Sequence, residues 1–419
     1  MSQDVLNPET ENAVREAVVT AVAAESPLEV IGSGSRRGLG RPVVADGVLS
    51  LSRLTGISLY EPDELVLTAK AGTSLEAIKK VLAEKNQHLA FEPPDWGPLF
   101  GGAADQATIG GIIAGNLSGP RRLRAGAARD HLLGARMVTG RGDIIKTGGR
   151  VVKNVTGYDL CKLLAGSYGT LSVLTEITVK VLPAPQKTRT LLVLGQSAED
   201  AQSAMTLALN SPHEVSAAAW LPGDLTTRSS VGYLQRAGSA VTALRVEGPE
   251  PSVIARCDAL RALLAGQGEM EELHYHNSAG FWHEVGSATF FTEEPSGDGT
   301  SEEGSKTPVW RLSIPPAEMP LVTAAIAGHC QAEYYADWGG GLIWLRVTPE
   351  LEDAGAGVIR AAIAPRGGHA TLIRASEDIR SRIPVFQPQP AELAALSARV
   401  KHGFDTNHIL NRGRMVAGV

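Results

Sequence analysis

Between Glu92 and Gly149 the chain places 13 glycines among long irregular runs such as EPPDWGPLFGGAADQATIGG, with few helical periods. A structureless stretch of that size sits badly inside a compact domain unless a ligand holds it. A second glycine-rich stretch lies upstream. After the apolar lead Leu28, Val30 and Ile31 comes IGSGSRRGLG (31–40), four glycines and two serines around two arginines. Glycine lets the backbone take positive φ and approach a ligand closely, and successive N–H groups can form an anion-binding nest. For this loop alone two readings stand, a phosphate cradle and a mobile surface turn. It is not the dinucleotide GxGxxG turn, because GRPVVADGVLSL after it reads as another strand rather than a helix.

Around these stretches the local pattern alternates strands and helices. A helix is predicted over Glu11–Ala24 after Asn7-Pro8, with strands at Val48–Leu51 and Leu65–Lys70. Ser74 is placed to cap a helix Leu75–Asn86 that keeps Leu75, Ile78 and Leu82 on one face. Residues 132–147 alternate around Gly140-Arg-Gly-Asp as a β-hairpin, Leu160–Leu164 reads as a short helix and Leu171–Leu182 as a long strand, closed by a Pro183-Ala-Pro185 linker.

The second half repeats a pattern. Strand Thr190–Leu194, helix Ala198–Leu209, strands Ala217–Leu221 and Val241–Val246 and helix Ser252–Leu264 form one β-α-β-β-α unit. Strand Trp310–Ile314, helix Met319–Ala327, strands Ala332–Trp338 and Leu342–Val347, helix Gly355–Ala364 and strand His369–Arg374 form the other. Such units imply an antiparallel sheet with helices on one face, two ferredoxin-like halves, and hence an α+β chain. Between them FTEEPSGDGTSEEGSKT (291–307) has almost no apolar content and reads as a disordered loop. A helix from Ala391 and then FDTNHILNRGRM end the sequence.

A net charge of −6 and 5% aromatic residues give no pull toward nucleic acid. The acidic start MSQDVLNPETENAVREA is not a secretory signal, and no apolar run reaches the ~20 residues a membrane-spanning helix needs. Cys161, Cys257 and Cys330 form no CxxC pair, so neither a disulfide framework nor a self-contained iron–sulfur cluster is indicated, and a reducing cytoplasm fits best.

ATIGGIIAGNLSGPRRLRAGAARDHLLGARMVTGRGDIIKTGGRVVKNVTGYDLCKLLAGSYGTLSVLTEITVKVLP (107–183) resembles the FAD-binding domain of the vanillyl-alcohol oxidase and p-cresol methylhydroxylase family. The resemblance rests on T-I-G-G, G-N-x-x-G, R-D-H, K-N-V-x-G-Y-D-L and G-S-x-G-T-L in that order, and the terminal NRGRM is similar to the family's NPGR-type motif. HNSAGFWHEV, VWRLSIPP, YYADWGGGLIWLR and GGHATLIR resemble the FAD-binding subunits of bacterial glycolate oxidase. The resemblance implies an FAD domain over residues 1–185, a cap or substrate domain over 186–390, and a segment 391–419 returning to the FAD domain.

It also implies roles. Gly32, Ser33, Gly34 and Ser35 would hold the FAD pyrophosphate, with Arg36 either adding charge or pointing to solvent. Thr108, Gly110 and Gly111 would run along the isoalloxazine and ribityl chain, with Asn116 and Gly119 on the same wall. Asp130 would either pass near the flavin or cap a local turn. Gly166, Ser167, Gly169 and Thr170 would lie near the pyrophosphate and adenosine end, and the Ile177 backbone would pair with adenine. Asn411 and Arg414 would either close over the flavin or cap the last helix.

Residues 31–41 and 101–119 contain neither histidine nor cysteine, so FAD is expected to be non-covalent; Cys161, among Leu160, Leu163 and Leu164, reads as a buried structural thiol. His274 and His276 are expected on one strand face near His283, as a metal site or as scattered histidines, and no metal is assigned. Arg121, Arg122, Arg124 and Arg129 read as a solvated or partner-facing run, or as a site for a nucleic acid or an anion. The implied partners are a larger FAD-containing glycolate oxidase subunit and an iron–sulfur subunit, the complex oxidising a small 2-hydroxy acid. The alternatives are a self-sufficient FAD oxidoreductase and a flavin-free assembly subunit. No catalytic residue is assigned.

Overall fold

A computed structural model of the chain describes residues 4–150, 157–292, 307–348 and 351–418. Most of the predicted 291–307 loop and part of the K-N-V-x-G-Y-D-L stretch lie outside the described residues. Two compact units are found: one gathers the described residues up to Ser118, Gly126–Ala184 and the segment from Pro388, the other Gly119–Ala125 and Pro185–Gln387.

The first unit begins with β1 (Asp4–Leu6), β2 (Leu28–Ile31) and β3 (Gly47–Ser50), a parallel sheet of order β1-β3-β2. Helix Glu11–Ala23 joins β1 to β2. Thr10 caps it by accepting from the Ala13 N–H at 3.2 Å, and Val14, Val18 and Ala21 face the core at helical spacing. Next come β4 (Ile57–Glu61), β5 (Val66–Lys70), β6 (Gln87–His88), β7 (Leu132–Thr139), β8 (Ile144–Gly148), β9 (Ser172–Lys180) and β10 (Leu182–Pro183). The antiparallel sheet β4-β5-β9-β7-β8 carries the unit, and β6 pairs with β10 apart from it. Ser74 caps the helix Leu75–Ala83 as its sequence requires, accepting from the Ala77 N–H at 3.2 Å.

The glycine-rich region is less irregular than its sequence suggests. It holds the short helices Ile109–Gly115, Arg122–Ala125 and Ala128–His131. Thr108 starts the first of them by accepting from the Gly111 N–H at 3.2 Å, and Asn116 ends it at φ +48°. The linker reading of Pro183-Ala-Pro185 is corrected in part, since Pro183 ends β10 opposite Gln87.

The second unit is one eight-stranded antiparallel sheet built from β11 (Lys187–Leu194), β12 (Ala217–Leu221), β13 (Val241–Gly248), β14 (Met270–His274), β15 (Val309–Ser313), β16 (Ala332–Asp337), β17 (Leu342–Val347) and β18 (His369–Arg374). Its order, β14-β11-β13-β12-β16-β17-β15-β18, joins two βαββαβ halves at Trp220 opposite Ala336. Helices Ala198–Leu209, Glu250–Leu263, Met319–Ala327 and Ala356–Ile363 cover one face. There Leu191, Leu244, Trp310, Ile343, Met205 and Ile359 belong to a single buried cluster, each such side chain contributing roughly 1.5–3 kcal/mol of burial. Period-two alternation sends the residues between them to the opposite face. On the first half that face is covered by the helix Tyr275–Ser287, whose Trp282 Nε1–H donates to Thr190 Oγ1 at 2.8 Å. The shared strand face expected for His274 and His276 is corrected: β14 stops at His274 and His276 lies in that helix.

Candidate functional site

β2 runs straight into Gly32-Ser33-Gly34-Ser35-Arg36. The loop turns at Gly34, φ +83°, and tightens through the Leu39 N–H donating to the Arg36 carbonyl at 3.0 Å. It lies against the helix Ile109–Gly115 because two residues lack side chains. A Cβ on Gly32 would stand 2.4 Å from Thr108 Oγ1, and one on Gly111 would stand 2.7 Å from Arg36 Nη2. The result is an open cleft with about 550 Å³ of empty space, walled by the loop, Thr108, Gly111, Tyr168, Asn411 and Arg414.

Arg36 is the charged group of this cleft. The residue is half-buried, while its Nη1 is enclosed and has no hydrogen-bond partner among the described residues. Burial lowers its pKa to about 10, with the charges of Asp95 and Tyr168 acting the other way. Asp95 is itself buried and occupied, accepting from the Gly97 N–H at 3.1 Å and the Asp105 N–H at 2.7 Å. An enclosed guanidinium donor without an acceptor costs free energy in the bare protein. Backed by glycine, two serine hydroxyls and the Thr108 hydroxyl, it has the donor set that suits a phosphate oxygen. The cradle and the orphaned donor therefore fit the pyrophosphate of a dinucleotide.

The segment from Pro388 closes the unit behind this loop. The Asn411 side chain accepts from the Val30 N–H at 2.8 Å and donates to the carbonyls of Tyr168 at 2.8 Å and Val30 at 3.3 Å. Arg414 donates to the Leu39 carbonyl at 2.9 Å and to Glu29 at 3.0 Å, the carboxylate that also pairs with Arg37. Neither residue caps the last helix, whose end is at Asp405. Deeper in, the buried Lys401 ammonium donates to the carbonyls of Thr170 and Leu410 and pairs with Asp405.

Of the residues singled out in the sequence, Gly32, Ser33, Gly34, Ser35, Arg36, Thr108, Gly111, Asn411 and Arg414 meet at the cleft. A second set stands behind it. A Cβ on Gly110 would press on Ala71 at 2.8 Å, so this glycine serves protein packing. Gly166 donates to the Ile113 carbonyl at 3.2 Å, the Ser167 carbonyl accepts from Thr170 Oγ1 at 2.7 Å, and Gly169 leaves room for the Asn411 amide. Together they position Tyr168, a lining residue that the sequence reading passed over; its signal was the pair of positive-φ glycines flanking it.

A third set lies elsewhere. Asn116 accepts from the Arg129 N–H at 3.0 Å, and Asp130 caps its own helix by accepting from the Ala127 N–H at 2.9 Å. Gly119 falls in the second unit, where its carbonyl accepts from Trp338 Nε1 at 3.1 Å. Ile177 is fully buried on the central strand β9, opposite Ala69 on one side and Ala135 on the other, so sheet pairing occupies the edges that an adenine would need. Among the described residues no three His, Cys, Asp or Glu side chains converge as a metal site, and no helix is long and apolar enough to cross a membrane.

Residues 3–148 match the family model of an FAD binding domain. The fold is similar to that of p-cresol methylhydroxylase, with a TM-score of 0.69 over 99% of this chain and 88% of that one at 12% identity. The fold is thus of the p-cresol methylhydroxylase type, and the FAD-binding match with the sequence relatives gives the class, an FAD-linked oxidoreductase. Along the sequence the chain is 34% identical to the glycolate oxidase subunit GlcE of Escherichia coli (strain K12), over 97% of both chains. It is 35% identical to the glycolate oxidase subunit GlcD of Bacillus subtilis (strain 168), over 44% of this chain and 38% of that one. The chain belongs to the GlcE family of glycolate oxidase subunits.

Proposed function

We propose that this chain is the FAD-carrying GlcE-type subunit of a glycolate-oxidising complex, working beside a GlcD-type flavoprotein subunit and an iron–sulfur subunit. The first unit acts as the FAD-binding domain and the second as the cap. The observation that carries this reading is the enclosed Arg36 Nη1, a cationic donor with no acceptor among the described residues, in a glycine-walled cleft. The Gly32–Ser35 backbone and Arg36 hold the pyrophosphate, Thr108 and Gly111 border it, and Asn411 and Arg414 fix the loop from behind. FAD, when bound, supplies a two-electron acceptor for the carbinol carbon of a 2-hydroxy acid. The support for partners is that both relatives are named as subunits of glycolate oxidase.

Attachment is non-covalent in this reading. The described residues lining the cleft include no histidine and no cysteine, and Cys161 is buried with its thiol pKa raised by burial. The test is purification of the chain from its native cell. Expected are flavin bands near about 370 and 450 nm, complete release of FAD on acid precipitation, and co-purifying iron. A colourless chain without companions overturns the reading, and flavin that stays with the precipitate overturns non-covalent attachment.

A further inference from the structure

The second unit has a hollow of its own, at the end of its sheet where β11 stops at Leu194 and β13 begins at Val241 opposite it. It holds about 960 Å³ of empty space, and Gly195, Tyr233, Arg236, Ser239 and Glu269 are among its lining residues. The backbone around it is tied down. Buried Gln196 accepts from Thr242 Oγ1 at 2.6 Å and donates to the Gln267 carbonyl at 3.3 Å, and its own carbonyl accepts from Trp220 Nε1 at 3.2 Å. The Gly195 N–H donates to the Ala240 carbonyl at 2.8 Å, and the Thr226 hydroxyl donates to the Ser239 carbonyl at 3.1 Å. The Leu194 N–H donates to the Glu269 carbonyl at 2.8 Å, which carries the pairing of β11 with β14 one residue further and leaves Glu269 and Glu271 on one face. Gly195 turns at φ +78°, and a Cβ built on it would meet nothing within 4 Å, so the turn opens onto clear space.

Opposite charges line this hollow without meeting. Arg236 lies on the helix Gly232–Ala237 and folds back along it, so that a Cβ on Gly232 would stand 3.2 Å from its Nη1. Arg236, Glu269 and Glu271 have no ion-pair partner among the described residues. Tyr233, from the same helix, is half-buried. Burial raises its phenol above the ordinary pKa and the charges of Glu271 and Glu269 add to the shift, which puts both carboxylates near the ring oxygen. The hollow thus presents a guanidinium apart from a phenol with two carboxylates. A simple anion would bring its charge up to those carboxylates, and a simple cation would come up against the guanidinium. A molecule carrying both charges satisfies each through charge-assisted hydrogen bonds.

We propose that Arg236, Tyr233, Ser239 and Glu269 form a binding site for a small zwitterion, an α-amino acid, with its carboxylate on Arg236 and its ammonium on Glu269. The proposal goes beyond the oxidoreductase reading and does not rest on it. Solvation would account for two exposed charges by themselves. It does not account for a half-buried phenol beside carboxylates at the edge of a space that a glycine turn keeps clear.

The experiment is calorimetric titration of the full chain, purified with its FAD, with glycine and with L-alanine. Glycolate and ethanolamine, which keep only the carboxylate or only the amine, are separate arms. Both amino acids are expected to bind more tightly than either. Arg236→Gln and Glu269→Gln should each weaken glycine by about ten-fold or more, the loss of a hydrogen bond to a charged group, and Tyr233→Phe should weaken it several-fold. Arg382→Gln, whose partner is the exposed Asp378, should leave it unchanged. Arg236 and Glu269 are exposed, so their variants should melt like wild type and a loss of binding is then not a loss of fold. Three results overturn the proposal: no uptake of either amino acid at millimolar concentration, unchanged affinity in the Arg236 and Glu269 variants, or glycolate or ethanolamine bound as tightly as glycine. Flavin absorbance of the same samples separates the two ideas, since a colourless chain that binds glycine counts against the functional reading alone and an FAD-loaded chain that ignores glycine counts against this site alone.

Discussion

Arg36 in the first unit and Arg121 in the second are both arginines drawn away from water, and their surroundings are opposite. Arg121 donates from Nε and Nη2 to the two oxygens of Glu247 at 2.9 and 2.7 Å, a bidentate pair, and Arg245 Nε stands 3.6 Å from the same carboxylate. Burial alone would raise the Glu247 pKa; Arg245 and Arg121 more than offset it and hold the carboxyl well below the usual range. Arg36 has an enclosed Nη1 with no acceptor among the described residues. A buried charge matched within the chain serves the fold, while one left unmatched in a cleft costs free energy until something supplies an acceptor.

The largest expected effect comes from breaking the matched case. Glu247→Ala removes the carboxylate from between Arg121 and the buried Arg245 and should destabilise the chain by about 3–5 kcal/mol in denaturant unfolding. A loss below ~1 kcal/mol would erase the contrast. Acid should produce the next effect. Glu247, Glu11 and Glu333 all have lowered pKa values: burial raises each, and their arginine partners prevail. The stabilisation they give is complete above the unfolded carboxylate value of 4.5 and is lost as pH falls through their lower folded values. Melting temperature should drop as pH is lowered below about 4.5, and Glu247→Gln should melt with a shallower acid slope.

Arg36→Met tests the unmatched case. FAD affinity should fall roughly 10–100-fold, about 1.5–3 kcal/mol for hydrogen bonds to a charged group. The melting temperature of the flavin-stripped protein should stay level or rise, because an enclosed donor without a partner has been removed. Dialysis against free FAD and thermal melts of the stripped protein give both numbers; a stripped variant that melts much lower would make Arg36 a fold residue like Arg121. Gly111→Ala is a smaller push on the same group. Its Cβ would press on Arg36 Nη2, so FAD binding should weaken several-fold, while alanine's helix propensity offsets any strain by about 1 kcal/mol. The smallest effect belongs to Lys79→Ala. That residue pairs with Glu76 at 2.6 Å with both side chains about half exposed, and its loss should cost under ~0.5 kcal/mol.

Elements whose signals are local were legible in the sequence. Helix Ala198–Leu209 has its Ser197 cap, which accepts from the Asp200 N–H at 3.1 Å, and helix Met319–Ala327 has its apolar period. Strands β12, β17 and β18 also fall at the apolar runs where the sequence places them. That the glycine loop and Arg36 line a cleft was legible for the same reason, since ten residues of composition mark bare backbone beside charge. What was lost depended on distance along the chain. Nothing near Ile177 states that both neighbouring strands will claim it. Gly110 reads like Gly111, yet one meets Ala71 and the other Arg36. Gly119 reads as continuous with Asn116, although the division between units falls after Ser118. His276 was placed on a strand by spacing alone, where the chain has already entered a helix at Tyr275, φ +26°.

The bonds between Asn411 and Val30 join residues 381 positions apart. On the ribosome β2 must wait, its inner neighbour missing, until the whole eight-stranded sheet has been translated. The loop that follows β2 therefore gains its backing only after residue 411 has left the ribosome, and a chain cut before Asn411 would carry Gly32–Arg36 without the bonds that hold it from behind.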